Sequence, residues 1–86
     1  MYNYYQLKQD IFTEKGQARF LIIRDNVNSL LAKSGAVMME NAISELSGDS
    51  WERMSYVDRM VELGELIEVS KANTMGQHRV FMRGNK

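Results

Sequence analysis

The chain predicts an α+β fold, mainly helical: three helices closed by a C-terminal β-hairpin, with an extra helix at the N-terminus. Three observations carry this. Apolar residues recur at three-to-four-residue spacing in successive stretches before residue 64, the signature of one-sided helices. After Gly64 the spacing changes to alternation, which belongs to strands. With no proline in the chain, glycines at 35, 48, 64, 76 and 84 mark the breaks between these stretches.

Phe20, Ile23, Val27, Leu30 and Leu31 form one stripe, predicting a helix from about Glu14 to Ser34 with Gly35 as its C-terminal cap. Upstream, Tyr4, Leu7 and Ile11 share a face, with Tyr5 and Phe12 near it. They predict an N-terminal helical extension over residues 1–16 that breaks or bends near Gly16. "AVM" after Gly35 reads as a small strand, and Met39, Ala42, Ile43 and Leu46 as a short helix reaching Gly48. Asp49 with Glu52 resembles a capping box, Ser50 being the rival cap. The helix that follows buries Met54, Val57, Met60 and Val61 and ends at Gly64. "LIEVSK" and "HRVFMRG" are the hairpin strands, joined through "ANTMGQ".

Composition narrows the function classes. Eighty-six residues, 44% apolar and 26% charged, suffice for one core. A domain of this size buries only about 60% of its unfolded surface, so each apolar stripe must find a neighbour. There is no cysteine and only one histidine, His78, which removes a disulfide framework and a Cys/His zinc site. The start, "MYNYYQLKQD", has neither a basic leader nor an apolar run, and no stretch approaches a membrane span. A soluble cytoplasmic protein without cofactor is expected. No Gly-rich phosphate loop, nucleophile elbow or paired catalytic carboxylates occur, so the reading is not an enzyme.

The order helix, short strand, helix, helix, hairpin, with "VDRMVELGELIEV" at the junction, resembles the winged-helix domains of bacterial transcription regulators. Val57, Met60, Val61, Gly64, Leu66, Ile67 and Val69 carry the resemblance, which covers about residues 17 to 83 within a domain taken as 17–86. It implies a third helix that enters the major groove of double-stranded DNA, a hairpin wing on the flanking backbone, and a role in transcription regulation.

With Met54, Val57, Met60 and Val61 inward, the opposite face carries Glu52, Ser55, Tyr56 and Arg59. Arg59 suits guanine, Glu52 a cytosine amino group, Ser55 and Tyr56 bases or phosphates, and Arg53 on the flank a phosphate. In the hairpin, Lys71, His78 and Arg79 are the backbone-contact candidates, and Asn73, Thr74 and Gln77 in the loop suit phosphate or minor-groove contact. Each has a plainer reading as a solvated helix or turn residue. Trp51 and most of the seven methionines read as core.

Charge opposes the DNA reading in part. Residues 49 to 65 hold five acids (Asp49, Glu52, Asp58, Glu62, Glu65) against Arg53 and Arg59. The alternative is therefore a winged-helix module that binds protein and not DNA. The apolar N-terminal segment, with Tyr2, Tyr4, Tyr5, Leu7, Ile11 and Phe12, is expected to cover its own domain or to pair two copies into a homodimer.

Overall fold

The computed structural model describes residues 1–69 and 76–85. In order they form α1 (Tyr4–Ile11), α2 (Glu14–Ser34), β1 (Ala36–Met38), α3 (Met39–Ala42), α4 (Ser50–Glu62), β2 (Leu66–Glu68), a 3-10 turn (Gly76–His78) and β3 (Val80–Arg83). The three strands make one antiparallel sheet in the order β1-β3-β2, with Val37 opposite Phe81 and Ile67 opposite Met82.

Local chemistry sets the ends of the helices. The Asn3 side chain accepts from the amides of Tyr5 and Gln6 to start α1, and the Thr13 side chain accepts from Gly16 N to start α2. Asp49, not Ser50, caps α4 by accepting from Trp51 N. Gly35 closes α2 at φ 76°. Gly64 follows the end of α4 at φ 79°, a left-handed backbone that only glycine takes without strain, and this lets the chain reverse at once into β2.

The core is one cluster: Phe20, Ile23, Val27 and Leu31 of α2, Met39, Ala42, Ile43 and Leu46 around α3, Met54, Val57 and Met60 of α4, and Val37, Leu66 and Phe81 from the strands. Phe81, on the central strand, is fully buried and alone contributes about 1.5–3 kcal/mol of transfer free energy.

Four local expectations need correction. The break between the first two helices falls at Phe12 and Thr13, while Gly16 sits in the first turn of α2. A Cβ there would lie 1.9 Å from the Asp10 carbonyl oxygen, so glycine is required by close packing of the two helices. The helix expected from Met39 to Gly48 ends at Ala42. Beyond it, Asn26 Nδ2 donates to the carbonyls of Asn41 and Ala42, and Arg53 Nη1 to those of Ile43 and Leu46, which diverts the acceptors a longer helix would use. Trp51 is 44% exposed and packs edge-on against Tyr2, because Met54 and Val57 already fill the core side of α4. His78 lies in the 3-10 turn and not in a strand.

Candidate functional site

Helix α4 and the hairpin wing were expected to meet DNA together, but residues 70–75 of the wing lie outside the described residues. Helix α1 and the residues before it lie across α4. The Tyr2 hydroxyl donates to Asp58, the Tyr4 hydroxyl donates to Glu62 at 2.7 Å, and Lys8 Nζ lies 2.6 Å from the same carboxylate. Ile11 of α1 is buried beneath. Of the two fates foreseen for the N-terminal segment, the structure shows the cover over its own domain.

The α4 residues assigned to DNA, and Arg79, are engaged inside the protein. Ser55 and Tyr56, expected to be outward, are each 1% exposed. Ser55 Oγ donates to the Glu52 carbonyl, and the Tyr56 hydroxyl donates to the Glu52 carboxylate while its ring lies 6.5 Å from that of Phe20. Glu52 also meets Arg19 of α2. Burial pushes the Glu52 carboxyl up, but the hydrogen bonds from Tyr56 and Arg19 outweigh it and hold the group below its usual range. Arg59 pairs with Glu62 at 2.8 Å, and its guanidinium sits 4.9 Å from the centre of the Phe12 ring.

Arg53 caps backbone carbonyls around α3, as described above. Arg79 makes two forks: Nη1 and Nη2 to Asp58, Nε and Nη2 to Glu68, with the ring of Phe81 5.2 Å away. Burial favours the neutral form of Arg79, yet these two carboxylates raise its pKa further. Gln77 and His78 are exposed. Lys71, Asn73 and Thr74 lie outside the described residues.

Glu62 receives bonds from Lys8, Tyr4 and Arg59, and these hold its carboxyl at about 2. Burial and then the Asp58 contact push the Tyr2 hydroxyl well above its ordinary range, and burial with Glu62 does the same to Tyr4. The sequence reading took Tyr2 and Tyr4 only as apolar surface and gave Lys8 and Arg19 no role. The signal for them was the surplus of acids on α4, which needs donors from elsewhere in the chain.

A cleft of about 400 Å³ opens where the α1–α2 corner meets the start of α4, lined by Asp10, Lys15, Asp49 and Glu52 among others. Its acids outnumber its base, so it does not suit phosphate. Among the described residues, no group of three or more His, Asp or Glu is placed to hold a metal ion, and no helix is long and apolar enough to cross a membrane.

A further open feature, besides a shallower cleft beside Tyr2, Tyr4, Asp58, Glu62 and Arg79, is the outer face of the sheet. Val37, Leu66 and Phe81 turn inward, so Ala36, Met38, Ile67, Val80 and Met82 turn outward, with Val69 beyond them. Ile67 and Met82, directly opposite each other, are each 48% exposed. Antiparallel sheets with one solvated face normally place polar side chains there, and these positions carry none. Comparison with family models, with curated proteins and with solved structures finds no match for this chain.

Proposed function

We propose that this chain is a winged-helix-type module that binds a protein partner through the outer face of its sheet. The order of elements and the β1-β3-β2 sheet support the winged-helix part of that reading. The observation that carries the partner class is the occupation of α4. A helix that reads the major groove must present free polar groups to base edges. Here Glu52, Ser55, Tyr56 and Arg59 are already bonded within the chain, and α1 stands where the duplex would lie.

The sheet face points the other way. It is apolar, uncharged and partly exposed at Ile67, Val69 and Met82, which fits an equally apolar, uncharged stretch of another protein. DNA is the second reading. It is favoured by the direct passage of α4 through Gly64 into β2, which sets a helix beside a hairpin, and it requires α1 to leave α4.

Titration of the intact chain on a random duplex pool separates the two. Protein binding predicts no enriched motif at either about 50 or about 200 mM salt, the range over which phosphate contacts reveal themselves. A photo-crosslinker at Ile67 is expected to give a discrete protein adduct in cells, lost in Met82→Lys. An enriched duplex motif, or a crosslinking pattern that Met82→Lys leaves unchanged, refutes the proposal.

A further inference from the structure

We propose that α1 is an exchangeable arm, and that the cradle on α4 that receives it can equally receive the α1 of a second copy of this chain. The cradle lies on a different surface from the sheet face and stands whether or not that face is occupied. Its chemistry is specific. Asp58 and Glu62 accept from Tyr2, Tyr4 and Lys8, so an acidic stripe meets hydroxyl and ammonium donors at matched positions.

The connector is built for a change of direction. Only Phe12 and Thr13 separate α1 from α2, and Thr13 clips the corner twice: Oγ1 donates to the Asp10 carbonyl at 2.7 Å and accepts from Gly16 N at 3.0 Å. The closed corner also needs Gly16 to lack a side chain, as its 1.9 Å clearance shows. No proline interrupts the segment, so releasing the clip lets α1 and α2 run on as one helix. With its two-residue connector α1 would project by roughly 15 Å at 1.5 Å per residue.

An open monomer would leave Ile11 and the stripe of α4 in water. A second copy's α1 restores the contacts with α4, because it is the same sequence on the same cradle, and only the bonds of the corner itself are not remade. Exchange between two copies is therefore the low-cost outcome of opening, and a short connector is what invites it.

Sedimentation of Gly16→Ala and Thr13→Ala beside the parent chain tests this. Alanine at 16 cannot fit the closed corner but favours a continuous helix; alanine at 13 removes only the clip. Both variants are expected to sediment as dimers at concentrations where the parent is monomeric, and adding Ile11→Asp is expected to return them to monomers. If Gly16→Ala does not fold, Thr13→Ala decides. Monomeric variants, dimers indifferent to Ile11→Asp, or an open monomer that retains duplex DNA would each overturn the proposal.

Discussion

Replacing Arg79 with methionine removes the cation that joins α4 to the hairpin and keeps a side chain of comparable length over Phe81. Arg79 has a side chain only 15% exposed, and its carboxylate partners Asp58 and Glu68 are 14% and 26% exposed. Removing one partner of a buried pair costs about 3–5 kcal/mol, because the remaining charge stays desolvated and unpaired. Partial hydration of Asp58 and Glu68 places the cost near the lower end, about 3 kcal/mol. For a chain of 86 residues the whole stability is roughly 4–13 kcal/mol at ~0.05–0.15 kcal/mol per residue. The midpoint of thermal unfolding should fall by about 12–24 °C, at about 4–8 °C per kcal/mol. Urea and thermal denaturation followed by circular dichroism measure this directly. Asp58→Asn with Glu68→Gln in the methionine background should restore most of the loss. A loss below about 1 kcal/mol, the range of exposed pairs, would refute the view that Arg79 is a structural residue and return it to the surface candidates.

Three further outcomes are expected. Glu62 ionises near 2 in the folded chain against an ordinary 4.5, so its stabilisation is present above pH 4.5 and is lost as pH falls towards 2. Glu62→Gln should flatten stability against pH in that window by about 1 kcal/mol or less, since the group is exposed; unchanged acid sensitivity of the urea midpoint counts against the contact. Burial and the Glu52 bond push the Tyr56 hydroxyl up to about 12, so its stabilisation is present below pH 10 and is lost as pH rises through 12. Absorbance titration should show the hydrogen-bonded tyrosines Tyr2, Tyr4 and Tyr56 ionising only together with unfolding, and full ionisation in a chain that keeps its helical signal would contradict the assignment. Gly64→Ala should cost about 1–2 kcal/mol, the penalty of a left-handed backbone on an L-residue, visible as a lower urea midpoint.

The parts of the fold that depend on neighbours in sequence were legible. The stripe of α2, its Gly35 cap, the Ala36–Met38 strand and the turn at Gly64 all follow from spacing and side-chain type within a few residues, while the choice of Asp49 over Ser50 as the cap of α4 did not. What misled was the assumption that α4 has one buried face. Glu52, Ser55, Tyr56 and Arg59 are polar, and polarity at helical spacing normally marks solvent. Here the Tyr56 hydroxyl and both arginines, Arg19 and Arg59, find carboxylates within the chain, so a polar stripe is covered at little cost. The charge surplus on α4 was visible; which distant residues answer it, Tyr2, Tyr4, Lys8 and Arg19, was set by the tertiary fold. The shortened α3 is a similar case, decided by Asn26 and Arg53 reaching carbonyls far from them in sequence.

The place of β3 bears on how the molecule is made. The strand that joins the other two is the last of the three to leave the ribosome, and β1 precedes it by some forty residues. Until Val80–Arg83 emerge, the earlier strands have no sheet to enter and Phe81 is missing from the interior. Completion of the sheet is thus deferred until Val80–Arg83 are made, and pairing across so long an interval is intrinsically slow. Nascent chains halted before residue 80 should remain open to protease, with the helices alone to protect them.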